Sequence, residues 1–99
     1  METRKPTVYM MASKINGTLY AGVTSDLARR VAEHKKGTAS SFSSKYHCTL
    51  LVWYSSFETM TDAIYTEKFL KRRTRTYKIQ LIEEVNPSWN DLYANINQL

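Results

Sequence analysis

Glu67 lies where a helix of this pattern would bury a leucine. In residues 61–74 (TDAIYTEKFLKRRT), Ala63, Ile64 and Leu70 trace the apolar stripe of an amphipathic helix, and Glu67 falls on that stripe. A carboxylate withdrawn from water is costly unless a cation stands beside it, which here means a lysine or a metal ion. Five other side chains could do chemistry: the phenols Tyr9 and Tyr20, the guanidinium of Arg30, the imidazole of His34 and the amide of Asn86. Together with Glu67 they offer a cation ligand, a fixed positive charge, a proton shuttle and three neutral groups that can position water or a ligand. Taken singly, each has an ordinary structural reading. Strand tyrosines pack half-buried, Arg and His on a helix flank keep it soluble, and an asparagine before a proline makes a turn. The order and spacing of the set argue against coincidence.

The elements that would position these groups are readable. Residues 7–11 and 18–23 are short β-prone runs, and Asn16-Gly17 between them favours a tight turn with positive φ. Alternation puts Val8 and Met10 on one face of the first strand, with Thr7, Tyr9 and Met11 on the other. In the second strand Leu19, Ala21 and Val23 face away from Tyr20 and Gly22, so a hairpin aims Tyr9 and Tyr20 the same way. A helix follows, capped by Thr24, Ser25 or Asp26, buried through Leu27, Ala28, Val31 and Ala32, and ended by Gly37. Arg30 and His34, four apart, share one face of it and flank the stripe. Residues 37–44 (GTASSFSS) read as a mobile polar loop over a site, and residues 50–57 (LLVWYSSF) as the central, most buried strand. After the Glu67 helix, a further helix over about residues 76–85 would turn Ile79, Ile82 and Val85 inward. Asn86 stops it because Pro87 disfavours the helical region for the residue before it. Trp89 is expected to pack back as an anchor, with a loose helix over the last ten residues.

Composition bounds what these elements can build. Ninety-nine residues, 42% of them hydrophobic, with seven Tyr, three Phe and two Trp, suffice for one modest core. The expectation is a single α/β domain over residues 1–99, with its core at about residues 7–90: a small, mostly antiparallel sheet of three strands flanked by helices. The single cysteine, Cys48, excludes an internal disulfide and a CxxC metal site, and beside Leu50 and Leu51 it reads as a buried, inert thiol. No run approaches the roughly 18 apolar residues of a membrane span, and the opening METRKPTVYMM lacks a signal-peptide core. A cytoplasmic protein with no membrane partner is expected. The formal charge is +5, and Lys68, Lys71, Arg72, Arg73, Arg75 and Lys78 crowd into eleven residues. Such a run is the footprint a phosphate backbone would want, though a solvated helix face has the same look.

The ordered set resembles the GIY-YIG endonuclease superfamily. Its first signature is degenerate here as Thr7-Val8-Tyr9, keeping the tyrosine, and its second stands as Tyr20-Ala21-Gly22, keeping tyrosine and glycine. Ten residues separate Tyr9 from Tyr20, Arg30 comes eight after Gly22, and His34 four later. Residues 63–72 (AIYTEKFLKR) and the Asn86-Pro87-Ser88-Trp89 ending are similar to the small stand-alone bacterial branch. The resemblance implies a catalytic set of Tyr9, Tyr20, Arg30, His34, Glu67 and Asn86, with Gly22 as a structural member. It implies a single Mg²⁺ or Mn²⁺ at Glu67 and DNA as substrate. One tyrosine would help activate the attacking water and the other would position water or phosphate, with the assignment open. Arg30 would oppose transition-state charge, His34 would bind phosphate or shuttle a proton, and Asn86 would orient ligands.

The leading expectation is therefore a metal-dependent endonuclease that hydrolyses DNA phosphodiester bonds, in repair or in processing unusual DNA structures. It would bind through Lys68, Lys71, Arg72, Arg73 and Arg75. The alternative is a nucleic-acid-binding module whose cleavage is vestigial or needs a partner, and a third reading is a structural adaptor. Superfamily nucleases often carry a separate DNA-targeting domain; lacking one, this domain would find its substrate by its own basic surface, a homo-oligomer or a targeting protein.

Overall fold

The computed structural model describes residues 4–96, so part of the expected loose terminal helix lies outside the described residues. Two strands open the fold, β1 (Thr7–Ala12) and β2 (Leu19–Thr24), followed by helices α1 (Leu27–Lys36) and α2 (Ser41–Lys45). Strand β3 (Leu50–Ser56) precedes α3 (Met60–Lys71), α4 (Arg75–Val85) and the single turn α5 (Tyr93–Ile96). The sheet runs β2-β1-β3 with both pairings antiparallel.

The hairpin forms as its sequence dictates. Asn16 takes φ 58°, the left-handed geometry that asparagine tolerates, and pairing then sets Tyr9 against Gly22 and Met11 against Tyr20. The central strand, however, is β1 and not residues 50–57. All six residues of β1 are buried, whereas β3 alternates outward at Tyr54 and Ser56. An apolar run is equally compatible with an edge strand covered on one face, and only the pairing decides. A register shift at Met10/Met11 moves the pairing from Trp53 to Leu51, leaving Val52 as the extra residue of a bulge.

Helices cover both faces. Val8, Met10 and Ala12 pack with Ala63 and Leu70 of α3, Ile82 of α4 and the anchor Trp89. On the other face Tyr9, Met11 and Leu51 pack with Val31 of α1, Cys48 and Ile96 of α5. Side-chain caps fix the helix starts: Asp26 for α1, Ser40 for α2, Thr59 for α3 and Thr74 for α4. Gly37 closes α1 at φ 80°. The expected loop over residues 37–44 instead contains α2, whose Ser43 is buried. Two apolar assignments also change. Ile64 and Val85 point outward, because the buried positions of α3 are Ala63, Glu67 and Leu70, and that of α4 is Ile82. Cys48 is buried as expected, and burial pushes its thiol pKa up. Among the described residues no helix is long and apolar enough to cross a membrane.

Candidate active site

The hairpin brings the two tyrosines together. Tyr9, 1% exposed, crosses over Gly22, its partner in the adjacent strand, and its ring centroid lies 6.4 Å from that of Tyr20. Gly22 is required by this crossing: a Cβ there would stand 2.6 Å from the Tyr9 hydroxyl and 2.7 Å from Cζ. Tyr20 is half-buried, and its hydroxyl has no hydrogen-bond partner among the described residues.

From α1 comes His34, which is buried and does not merely flank the stripe. Its Nε2 lies 2.7 Å from the Tyr9 hydroxyl and its Nδ1 lies 2.8 Å from Ser43 Oγ. Ser43 Oγ in turn donates to the carbonyl of Ser40 at 3.4 Å. With its proton committed there, Ser43 accepts from Nδ1–H, which leaves Nε2 bare to accept from the Tyr9 O–H. Burial and the nearby Arg30 cation hold His34 down at about 4, so the ring is neutral near pH 7. Burial pushes Tyr9 up to about 12, against the pull of the Arg30 guanidinium beside it. The resting proton therefore belongs to Tyr9, and His34 is its acceptor.

Arg30, one turn before His34, reaches the surface. Its Nη1 is 3.0 Å from Glu33 Oε1, while Glu33 Oε2 takes Arg29 at 3.3 Å. Arg30 holds the Glu33 carboxyl below its usual range, and Tyr9, then Glu33, reinforce the charge on Arg30. Arg29, Arg30 and Glu33 line an open cleft of about 400 Å³, with residues 23–26 and Met60 as its other walls. One carboxylate accepts from Arg30 without exhausting its five donors, so the guanidinium can bind an anion in the cleft.

Glu67 sits on α3 with only 9% of its surface exposed. Its Oε2 meets Lys71 Nζ at 2.7 Å, the lysine pairing that a carboxylate on an apolar stripe calls for. The same ammonium lies 5.9 Å from the centre of the Tyr20 ring, which ties Glu67 to the tyrosine side of the molecule. Among the described residues no three His, Cys, Asp or Glu side chains gather into a ligand cluster. A zinc ion, which takes three or four protein ligands, does not suit such a donor set. A hard, water-rich cation held by one carboxylate does, and Lys71 has a half-exposed, flexible stem that can yield to it.

Asn86 stands apart. Its amide donates to Val52 O at 3.1 Å and Asn90 O at 2.9 Å, and its Oδ1 accepts from Asn90 N at 3.0 Å. No hydrogen bond links it to Tyr9, Tyr20, Arg30, His34 or Glu67 among the described residues. The basic run is likewise divided. Arg75 donates to the carbonyls of Asn16 and Gly17, Arg73 lies over Phe69, and Lys71 is paired, while Lys68 and Arg72 stand exposed. It spans the end of α3, a turn and the start of α4, so it is not a single helix face.

Sequence reasoning did not single out Ser43 or Glu33. The run of serines after Gly37 was the available signal for the first, and the Arg29-Arg30…Glu33 spacing at four and three residues for the second.

Comparison with known proteins identifies a family. The GIY-YIG catalytic domain matches residues 5–80, which takes in Tyr9, Tyr20, Arg30, His34 and Glu67 and stops short of Asn86. A UPF0213 protein of Bacillus velezensis is 34% identical over 95% of this chain and 94% of its own length. The UPF0213 protein YazA of Bacillus subtilis is 33% identical over the same shares, and one of Pediococcus pentosaceus is 32% identical over 78% of this chain and 81% of its own. No solved structure matches. With a domain match across most of its length and relatives that align nearly end to end, the chain belongs to the GIY-YIG family.

Proposed function

We propose that this protein is a metal-dependent endonuclease that hydrolyses DNA phosphodiester bonds, acting in repair or in processing unusual DNA structures. The observation that carries this reading is the buried Tyr9–His34–Ser43 hydrogen-bond chain beside a cleft-lining arginine. A buried, directional chain with a neutral imidazole at its centre is a proton acceptor set in place before substrate arrives.

In this reading Arg30 binds the scissile phosphate and opposes the charge that grows on it. Anion binding has a second effect. Burial is the larger influence holding His34 down and the positive charge of Arg30 the smaller, so a phosphate that neutralises Arg30 returns part of the basicity of His34. Tyr20, with its hydroxyl uncommitted, orients the attacking water. The water's proton moves toward Tyr9 as the Tyr9 proton shifts to Nε2 of His34, the P–O bond to water forms, and the bond to the leaving oxygen breaks, that oxygen taking a proton from solvent. Glu67 would hold Mg²⁺ or Mn²⁺, which supplies Lewis-acid stabilisation of the phosphate when bound. Lys68 and Arg72 supply nonspecific attraction to the backbone.

The test is cleavage of labelled single-stranded, duplex, flap and forked DNA with Mg²⁺ or Mn²⁺. Glu67→Gln is expected to lose at least about a hundredfold in turnover while keeping metal-free DNA affinity, as removal of a principal electrostatic group does. Salt-sensitive binding without cleavage on every substrate and both metals would replace the enzyme with the binding-module alternative. A Glu67→Gln protein that cleaves normally but melts early would reduce Glu67 to a partner for Lys71.

A further inference from the structure

An aromatic strip leads away from Tyr20, outside the polar cluster. The Tyr20 ring centroid lies 6.3 Å from that of Phe42, which lies 4.9 Å from that of Tyr46. Phe42 and Tyr46 remain 46% and 42% exposed. They are set on firm ground, since α2 is capped by Ser40 and bonded through Ser43 to His34. The other exposed rings lie outside this strip, the Phe69–Tyr77 pair at 6.2 Å among them, whereas Phe42 and Tyr46 continue a line of ring contacts that starts at Tyr20 in the cluster.

Charge narrows the choice of occupant. Lys71 Nζ lies 5.9 Å from the Tyr20 ring at one end, and Lys45 Nζ lies 5.4 Å from the Tyr46 ring at the other. A purely apolar partner would have to desolvate Lys45, which has no ion pair among the described residues, and would crowd the Lys71–Glu67 pair. A strand of unpaired nucleotides satisfies both features, with base faces for the rings and phosphates for the lysines. A duplex does not, because its base faces are already stacked.

We infer that Phe42 and Tyr46, continuing from Tyr20, form a stacking subsite for the unpaired bases of a single strand or flap that runs into the site. Its position relative to the scissile bond rests on the nuclease reading; the binding itself does not. The subsite selects substrates by exposed bases, while Arg30 and the lysines attend to phosphate.

The test measures binding without turnover. A short labelled single strand and its blunt duplex are titrated in EDTA, at fixed low salt, against wild type, Phe42→Leu and Tyr46→Leu. Leucine keeps an apolar side chain of moderate bulk but cannot stack, and circular dichroism melts confirm folding. Wild type is expected to prefer the single strand, and each substitution should cut the strand-to-duplex affinity ratio by at least about fivefold, the lower end for loss of one stacked base. Equal affinity for strand and duplex, or a ratio unmoved by both substitutions, overturns the subsite. So does a wild-type dimer in sedimentation that Phe42→Leu disperses, because a second copy would then cover the strip. The two readings separate cleanly. Duplex cleavage with an unmoved ratio keeps the nuclease and removes the subsite, while ring-dependent strand binding without cleavage does the reverse.

Discussion

Gly22 has no side chain to do chemistry with, yet the geometry of the tyrosines depends on it. The phenol of Tyr9 passes directly over its backbone, at a place where any Cβ would lie within 2.6 Å of the hydroxyl. That ring cannot swing aside cheaply, because it is buried and its oxygen is held by His34 at 2.7 Å. Gly22→Ala should therefore destabilise the fold by about 1–3 kcal/mol, the usual cost of overpacking a closed interior. Denaturant unfolding measures it. Pairing Gly22→Ala with Tyr9→Leu, which removes the ring, should make the two changes non-additive, since they share one contact. Additive effects would mean that the strand tolerates a methyl group by moving elsewhere.

At the scale of elements, Asn86 is a principal tie between β3 and the segment after α4. Asn86 ends α4, bonds to the carbonyl of Val52 in β3, and closes the turn to Asn90. Asp91 adds a second tie, accepting from Leu51 N and from Lys35 of α1. Both donors and the oxygen of the Asn86 amide are thus engaged within the protein. Asn86→Ala should behave as a stability variant, losing about 1–3 kcal/mol by leaving the buried Val52 carbonyl unsatisfied and opening the turn to the exposed Asn90. Thermal melts would register that loss, and folded protein assayed well below the melting temperature should retain cleavage within a few-fold. A collapse of turnover at unchanged stability would instead return Asn86 to the catalytic set.

For the molecule as a whole, one buried imidazole links stability to pH. His34 titrates near 6.5 when unfolded but is held to about 4 in the fold, where Tyr9, Tyr20, Ser43, Arg30 and Glu33 surround it. Between those values the unfolded chain binds the extra proton and the native state does not. Its contribution is therefore complete above about pH 6.5 and is lost as pH falls toward 4. The full effect is on the order of 3 kcal/mol, from a pKa difference near 2.5 and about 1.4 kcal/mol per pH unit. Urea unfolding of wild type and His34→Gln at pH 7.5 and pH 4.5 isolates it: the wild type should lose more stability on acidification by most of that amount. Parallel losses in the two proteins would mean that His34 is charged in the fold.

Local physics let the sequence by itself determine the type of every strand and of the long helices, though not α2, together with the turn at Asn16-Gly17, the shared direction of Tyr9 and Tyr20, the cap region of α1 and the buried place of Glu67. Each follows from interactions within a few residues: the two-residue period of a strand, the 3.6-residue period of a helix, and the conformational preferences of Asn, Gly and Pro. The family resemblance was legible for the same reason, since it rests on an order of residues. Tertiary structure alone decided that β1 is central, because burial of a strand depends on which neighbours pair with it. It also decided that His34 is buried, that Ser43 reaches its ring, that Lys71 spans Glu67 and Tyr20, and that Asn86 is spent on Val52. Those contacts join separate elements whose mutual placement no local periodicity encodes; packing of helices on both sheet faces creates them.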